Sequence, residues 1–452
     1  MDRFRSAEEE AQYRRMTQTP VPRLVTSIAL PATAGMLVSV IYNTADTYFV
    51  SQISPSASAA VGAVFAIMAA IQALGYGIGM GASSLISRRL GAKKTEEAHR
   101  FASGAFLAAL LAGLFLLTVG LSLLSPILRL LGCTDSMLPY AIPYARFILL
   151  GAPINCVTFV LNSTLRGEGR TGIATVGISA GAIANIGLDA LFITYLDMGT
   201  GGAALATMIG QILSFLILGF FFLTRRNIVR IHPRYLPRSF ADYRLIILTG
   251  LPTICRQGLS SIAAAVLNIQ AISYGGDAAG AAVTVAGKLY TLVRSICFGF
   301  GQGFQPVAGY NFGAGKKKRT WQSFTFACFV GTGICIFFTL ILYFFARPIM
   351  TWFTPDETVV ELGVRMVRLS CVVLPTLAVS TYVNHLYQGL GFKAIASFLA
   401  SCRQGIFFLP AVLILPLFLN TTGVLISQSV ADLCTFLVAI PFLIRFYRRH
   451  IR

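Results

Sequence analysis

The stretch Asn162-Ser163-Thr164-Leu165-Arg166-Gly167-Glu168-Gly169 has a counterpart 222 residues later, Asn384-His385-Leu386-Tyr387-Gln388-Gly389-Leu390-Gly391. The asparagine and both glycines keep their places in the two copies. The same offset relates Gly91-Ala92 to Gly313-Ala314, Pro126-Ile127 to Pro348-Ile349, Arg146 to Arg368, Pro153 to Pro375 and Gly201 to Gly423. A register held this long without insertion predicts two halves of matching structure.

The composition places both halves in a membrane. Of 452 residues, 56% are hydrophobic and only 12% are charged, and the mean hydropathy is +0.73. A soluble domain carries about 25% charged residues. Apolar runs long enough to cross a hydrocarbon core of about 30 Å recur along the whole chain. The composition therefore predicts an all-α polytopic membrane protein, with the lipid bilayer as its surroundings.

The positive charge is distributed in a way that predicts topology. The net charge is +19, but the arginines and lysines cluster in alternate loops, which is the positive-inside pattern rather than a nucleic-acid-binding surface. We therefore expect no nucleic-acid partner, a multi-pass protein of the plasma membrane and two cytoplasmic termini. The basic clusters include Arg14, Arg15 and Arg23; Arg88, Arg89, Lys93 and Lys94; Arg225 to Arg244; Lys316 to Arg319; and Arg445 to Arg452.

The apolar runs divide into twelve predicted helices. The first six span residues 24–52, 57–87, 101–124, 139–165, 173–196 and 202–224, and the second six span 245–275, 278–308, 321–345, 360–388, 394–418 and 422–445. The predicted organisation is a cytoplasmic N-terminal segment (1–22), an N-lobe (23–224), a basic cytoplasmic linker (225–244), a C-lobe (245–445) and a cytoplasmic tail (446–452).

Six helices in each half make the repeat parallel, because both halves enter the membrane in the same direction. Two pseudo-symmetric six-helix lobes then form a V around a central cavity. In secondary transporters such repeats place the substrate site at the interface between the halves. We expect the protein to act as a monomer.

Acidic residues inside predicted helices are the strongest indication of chemistry, since they are costly in lipid. Asp46 and Asp189 lie well within first-half helices, and Asp432 is the comparable acid in the second half. Helical spacing places polar side chains beside the two first-half acids. These are Ser39 and Asn43 on the first helix, Tyr144, Asn155, Thr158 and Asn162 on the fourth, Asn185 on the fifth, and Thr207, Gln211 and Ser214 on the sixth.

Four of these residues are predicted to lie at the same depth in the membrane. Asp46, Asp189, Thr207 and Tyr144 are each predicted to lie about one and a half to two turns from the outer ends of their helices. Two carboxylates at one level would hold a proton or a monovalent cation, because like charges in a low dielectric cannot both ionise cheaply. The alternative is a structural hydrogen-bond network with one aspartate permanently neutral.

Two further sets of residues complete the predicted site. Pro31 lies about four turns below Asp46 and is expected to let the first helix bend, because proline frees a backbone carbonyl. A drug-sized cavity is mostly apolar with a few polar anchors. The anchors expected from facing and depth are Ser39, Asn43, Asn155, Asn162, Gln211, Asn268, Lys288 and Asn384.

The chain lacks the motifs of enzymes that act inside membranes or on nucleotides. It contains no HExxH, no Walker loop and no GxSxG, so neither an enzyme nor a protein that hydrolyses ATP is indicated. The nine cysteines are scattered through apolar runs without paired spacing, as buried hydrophobic residues are. We expect no cofactor.

Five motifs are spread over essentially the whole chain: Ile41-Tyr42-Asn43-Thr44-Ala45-Asp46-Thr47, Ser87-Arg88-Arg89-Leu90-Gly91-Ala92, Leu165-Arg166-Gly167-Glu168-Gly169, Asn185-Ile186-Gly187-Leu188-Asp189, and Gly301-Gln302-Gly303-Phe304-Gln305-Pro306 with Gly309-Tyr310-Asn311-Phe312-Gly313-Ala314. In these motifs the chain resembles the multidrug and toxic compound extrusion (MATE) transporters, in particular the bacterial MepA-like and DinF-like branch.

The resemblance implies an antiporter that exports organic, often cationic compounds by alternating access in exchange for H⁺ or Na⁺. It implies a cation site at Asp46, Asn185, Asp189 and Thr207, which would also hold Na⁺, with Tyr144 nearby. It also implies bending at Pro31. A lipid-linked precursor flippase of the same superfamily is the alternative, and Arg256, Lys288 and Arg294 are consistent with it. A receptor or scaffold is a third class, disfavoured by the lack of a sizeable soluble domain.

Overall fold

A computed structural model describes residues 2–224 and 227–451, without the side chains of residues 2–6, 51 and 55. The described chain is helical and contains no strand. The helices are α1 (Asp2–Gln18), α2 (Val21–Ser51), α3 (Pro55–Gly91), α4 (Thr95–Ser122), α5 (Leu124–Leu130), α6 (Leu138–Gly167), α7 (Thr171–Asp189), α8 (Gly199–Leu223), α9 (Phe240–Gly313), α10 (Lys317–Phe344), α11 (Ala346–Phe353), α12 (Glu357–Leu390), α13 (Lys393–Ser401) and α14 (Leu409–His450). A π-helical turn, Ala190–Tyr195, continues α7, and another, Cys402–Phe408, joins α13 to α14.

Ten helical stretches within the described residues are long and apolar enough to cross a bilayer. Two of them, α9 and the stretch from α13 to α14, contain a backbone break at Gly276 and at Asn420, where φ is +66° and +48°. Positive φ is accessible to glycine and tolerated by asparagine. Both breaks fall at the predicted loops, and counting them as boundaries gives twelve segments. That all twelve segments cross the membrane stays a prediction.

Several helix ends differ from the expected ones. The third helix begins at Thr95 instead of residue 101, because Glu96 and Glu97 in its first turn favour the helix N-terminus electrostatically. Helix α9 begins at Phe240, within the predicted linker, and α14 extends to His450, into the predicted tail. The short helices α5 and α11 lie in segments predicted to be loops, between the third and fourth helices and between the ninth and tenth.

The two lobes pack against each other through a pair of equivalent glycines. A Cβ atom on Gly91 would collide with the backbone oxygen of Tyr310, and one on Gly313 would collide with that of Arg88. Both pairs are related by the 222-residue offset, so α3 and α9 cross close to the pseudo-symmetry axis. Only glycine permits backbones to approach this closely, which explains why the repeat retains it in both halves.

Hydrogen bonds join the lobes in the half of the bundle that carries the basic clusters, here called the basic end. Arg88 Nη1 donates to the Leu390 oxygen over 3.1 Å, and Gln305 Nε2 donates to Ser84 Oγ over 3.0 Å. Closer to the centre, both Tyr76 and Arg166 donate to Gln302 Oε1. The lobes are therefore held together at the basic end.

Helix α1 packs across both lobes at the basic end. Gln12 Nε2 donates to the backbone oxygen of Glu168 in the N-lobe (2.6 Å), and Asn311 Nδ2 in the C-lobe donates to the oxygen of Met16 (3.1 Å). The Glu168 carboxylate in turn accepts from the backbone N–H groups of Ile228 and Val229 in the linker. Burial raises the pKa of Glu168 to about 7 against these hydrogen bonds, so this connection changes charge near neutral pH.

Candidate ion-coupling and substrate site

The structure brings the two first-half carboxylates into one buried cluster in the N-lobe. Asp46 on α2 and Asp189 at the end of α7 are 3% and 0% exposed. Tyr144 on α6 is fully buried and its hydroxyl donates to Asp46 Oδ2 over 3.4 Å. One oxygen of each carboxylate, Oδ1, is buried without a hydrogen-bond partner. Each carboxylate therefore keeps a buried acceptor that is free to take a proton or a small cation.

Asn185 connects Asp189 to α8. In the amide orientation that lets both of its polar atoms form hydrogen bonds, the nitrogen donates to Asp189 Oδ2 (3.3 Å) and the oxygen accepts from the Thr207 backbone N–H (3.0 Å). Helices α7 and α8 approach closely enough for this contact because Gly181 faces the backbone oxygen of Gly210. The oxygen atoms of Asp46, Asp189, Asn185 and Thr207 are the donor type that hard cations such as Na⁺ prefer.

A cavity of about 350 Å³ lies between the lobes, next to this cluster. Asn185 and Thr207 form part of its wall, together with Tyr42, while Asp46 and Asp189 are not among the lining residues. The carboxylates therefore lie behind the wall, and Asn185 and Thr207 connect them to the cavity. An ion bound there is separated from the cavity by polar side chains that contact both.

Half of the predicted polar anchors line the cavity, namely Ser39, Asn43, Asn155 and Gln211. The other four are absent from the described lining. Asn268 and Lys288 are exposed side chains on α9. Asn384 adjoins a second, much smaller pocket in the C-lobe. Helical phase located the first four correctly, but it could not place α9, whose direction changes at Gly276.

Asn162 and Asn384 have a structural use instead. Asn162 Nδ2 donates to the Ala174 backbone oxygen over 2.7 Å, and Asn384 Nδ2 donates to the Ala396 oxygen over 2.7 Å. Both donors and both acceptors are related by the 222-residue offset. Each asparagine thus fixes the start of the following helix, and the repeat preserves a hydrogen bond rather than a substrate contact.

We expect alanine substitutions to separate these two groups. Asn155→Ala and Gln211→Ala should change the relative rates of export among test compounds and leave thermal stability nearly unchanged. Asn162→Ala should instead lower the stability by about 1–3 kcal/mol, because a buried backbone acceptor loses its partner. Export rates for a panel of dyes and thermal unfolding in detergent measure both. An equal loss of export for every dye in Asn155→Ala would contradict this assignment.

The second lobe contains a buried ion pair that the sequence reasoning missed. Arg403 in the π-helical turn donates through Nε to Asp432 Oδ1 over 2.7 Å. Asp432 is 2% exposed and also accepts from the Tyr290 hydroxyl and from Gln428 Nε2. Arg403 lies inside a predicted helix, and an intramembrane arginine requires an acid nearby. That signal was present and would have identified the pair.

The repeat shows how the two lobes diverged at this point. Arg403 and Asp432 correspond, at the 222-residue offset, to Gly181 and Gly210. In the N-lobe these glycines bring two helices into backbone contact, whereas in the C-lobe an ion pair fills the equivalent place. The N-lobe acids Asp46 and Asp189 have no acidic counterpart at this offset. The pair of buried carboxylates is therefore not repeated at the equivalent positions of the C-lobe.

The C-lobe side of the cavity is basic. Arg256, Arg294 and Arg403 line it, and Arg166 of the N-lobe lies beside them. Arg256 stacks over the Phe298 ring at 4.2 Å from the ring centroid, and its Nη1 donates to Asn384 Oδ1 over 3.4 Å. No aspartate or glutamate is among the described residues that line the cavity.

Comparison with known proteins agrees with this architecture. The MatE family profile matches residues 31–191 and 252–414, once in each lobe. "Multidrug export protein MepA" of Staphylococcus aureus (strain MRSA252) is 25% identical over 94% of this chain and 93% of its own length. The chain belongs to the MatE family and is a multi-pass membrane transporter.

Two solved structures extend the similarity to the whole fold. One is described as "Outward-facing conformation of a multidrug resistance MATE family transporter of the MOP superfamily" and has a TM-score of 0.91 at 27% identity, over 96% of this chain and 97% of that one. A transporter from Pyrococcus furiosus, described as having a binding pocket of reverse polarity that suggests a different function, has a TM-score of 0.90 at 27% identity, over 96% and 97%.

Proposed function

We propose that this protein is a secondary active efflux antiporter of the plasma membrane, which exports organic compounds in exchange for H⁺ or Na⁺. The observation that carries the proposal is the buried pair Asp46 and Asp189, each with an unpartnered carboxylate oxygen, next to a cavity between two lobes. The family membership and the similarity to multidrug export proteins support it. The basic clusters favour cytoplasmic termini.

In the proposed exchange, Asn185 and Thr207 lie between the ion site and the substrate cavity and can contact both. When a proton or Na⁺ occupies the space between Asp46 and Asp189, the negative charge behind the wall is reduced. A bound cation takes the oxygen atoms of Asn185 and Thr207 as ligands, and these groups become available to a substrate when the ion leaves. Because these two residues also line the cavity, ion and substrate compete for the same groups. Such competition is a coupling free energy between two sites, and it is reciprocal.

The hydrogen bonds that join the lobes at the basic end support an outward-facing state for this arrangement. With that end cytoplasmic, the cytoplasmic route to the cavity is closed by α1, α3 and α9. Export then requires these contacts to break and the lobes to rock about the central cavity. We expect each cycle to open and re-form them.

Pro31 is the position at which α2 is expected to bend. Proline removes a backbone hydrogen bond within α2, and the Pro31 carbonyl accepts from Thr175 Oγ1 of α7 over 2.8 Å, so bending there would move α2 relative to the ion site. We predict that Pro31→Ala slows export several-fold while the yield of folded protein stays close to that of the wild type. Unchanged turnover in proteoliposomes would exclude bending at Pro31 from the cycle.

A lipid-linked precursor flippase is the second candidate. The basic C-lobe wall formed by Arg256, Arg294 and Arg403 favours it, because a diphosphate head group would bind there. Export of dyes from vesicles under an imposed H⁺ or Na⁺ gradient separates the two functions. Gradient-dependent export supports the antiporter, and movement of a fluorescent isoprenoid diphosphate that ignores both gradients supports the flippase.

A further inference from the structure

The charges that line the cavity are all positive, and they are only partly compensated. Arg166, Arg256, Arg294 and Arg403 line it without any described carboxylate in the same wall. Asp432 forms an ion pair with Arg403. The described residues provide no ion pair for the other three arginines. Asp46 and Asp189 lie behind the part of the wall formed by Asn185 and Thr207, so the surface of the cavity itself is positive and disfavours organic cations.

The side-chain atoms of the lining residues that lack a hydrogen-bond partner are also of one kind. Three described lining residues carry a buried side-chain atom without a hydrogen-bond partner: Arg166 Nε, Arg256 Nε and Gln302 Nε2. All three atoms are donors. Arg166 and Gln302 are only 4% and 1% exposed, so their donors are held in place by packing. These three atoms are covered by protein, so they indicate a surplus of donors within the wall rather than contacts that are open to a ligand.

Apolar side chains also line this cavity. Met36, Phe159, Ile178 and Phe298 contribute side chains to the same cavity. A ligand that satisfied the whole lining would therefore combine an anionic head with an apolar body. Planar guanidinium groups bind sulfonate, carboxylate and phosphate groups with paired hydrogen bonds.

We infer that the cavity selects amphiphilic organic anions, with the anionic head on Arg166, Arg256 and Arg294 and the apolar body on Met36, Phe159 and Ile178 of the same lining. This inference rests on the proposed export function and narrows its substrate from organic compounds in general to one charge class. The head group could belong to a water-soluble compound or to a lipid-linked diphosphate. The arginines recognise both by the same chemistry.

The test compares two fluorescent probes of opposite permanent charge on one aromatic body, pyrenesulfonate and pyrenylmethyl-trimethylammonium. Fluorescence anisotropy measures their binding to the purified full-length protein in detergent. We expect the sulfonate to bind about tenfold more tightly or better, and to lose affinity as ionic strength rises. Equal or tighter binding of the ammonium probe would overturn the inference.

Substitutions locate the binding to the cavity. Arg256→Gln and Arg294→Gln should each weaken sulfonate binding about tenfold, the effect of one charge-assisted hydrogen bond. Arg129→Gln is the matched control, because Arg129 is an exposed arginine that pairs with Asp135 over 2.8 Å, away from the cavity. If Arg256→Gln does not fold, Arg256→Lys should fold and retain intermediate affinity. Unaltered sulfonate binding in both cavity variants would place the probe elsewhere and overturn the assignment.

Competition identifies the source of the anion. Displacement of pyrenesulfonate by farnesyl diphosphate at much lower concentrations than by naphthalenesulfonate would indicate a lipid-linked diphosphate, and the reverse would indicate a soluble anion; both outcomes support the inferred charge class. Gradient-driven movement of the ammonium probe alone, in proteoliposomes, would reject this charge class while leaving the proposed antiport intact. Tight sulfonate binding without any gradient-driven movement would reject the antiport and leave the charge class intact.

Discussion

Asp46→Asn and Asp189→Asn are each expected to reduce gradient-driven export at least about tenfold while the protein still folds, because coupling requires a group that binds and releases the ion. Asparagine resembles the protonated aspartate in shape, so the contacts of Tyr144 and Asn185 can persist. Export of a fluorescent substrate by everted vesicles, energised first with an H⁺ gradient and then with a Na⁺ gradient, measures the effect.

The control for this prediction must lose a carboxylate without disturbing a buried cluster. Asp197→Asn is suitable, because Asp197 is exposed near the end of the same helical segment and its φ of +50° is tolerated by asparagine. It should export at the wild-type rate. Near-normal export in both Asp46→Asn and Asp189→Asn under both gradients would refute the site.

The second large effect concerns stability. Removing one partner of the C-lobe ion pair, as in Asp432→Ala, should destabilise the protein by about 3–5 kcal/mol, because Arg403 is left as an uncompensated buried charge. Arg403 is only 13% exposed at its side chain, and the Tyr290 hydroxyl that donates to Asp432 also loses its acceptor. The midpoint of thermal unfolding in detergent measures this loss.

A compensating double substitution makes this prediction specific. Asp432→Leu combined with Arg403→Met removes both charges and should recover most of the lost stability, as apolar replacements of buried ion pairs commonly do. The double variant should unfold at nearly the wild-type temperature if Asp432 is structural. Stable Asp432→Ala protein that has lost only its ion coupling would instead assign the coupling ion to the C-lobe.

Much of the N-lobe site could be predicted from the sequence because helical periodicity and depth are nearly sufficient there. Asp46, Tyr144, Asn185 and Thr207 each lie on a long helix with a distinct polar face, and the structure pairs Tyr144 with Asp46 and Asn185 with Thr207. The internal repeat also predicted two matching halves. Gly91 and Gly313 recur in it because each lies directly against the backbone of the other half.

The rest could not be predicted because it depends on contacts across helices. Asn162 and Asn384 have the spacing of cavity residues, but their amides donate to backbone oxygens of the following helices. Lys288 follows the break at Gly276, where the direction of α9 changes. The basic side of the cavity, with Arg166 and Arg403, arises from four separate segments of sequence that only the tertiary structure places together.

The central claim is that movement of a compound through the cavity is coupled to an ion bound by Asp46 and Asp189. Its most direct test is the reverse reaction in proteoliposomes without an imposed ion gradient, because coupling is reciprocal. A gradient of pyrenesulfonate or of pyrenylmethyl-trimethylammonium is imposed, and internal dyes report pH and Na⁺. We expect counter-movement of H⁺ or Na⁺ in wild type and in Asp197→Asn, and none in Asp46→Asn. Probe transport by the wild type with neither ion moving would contradict it.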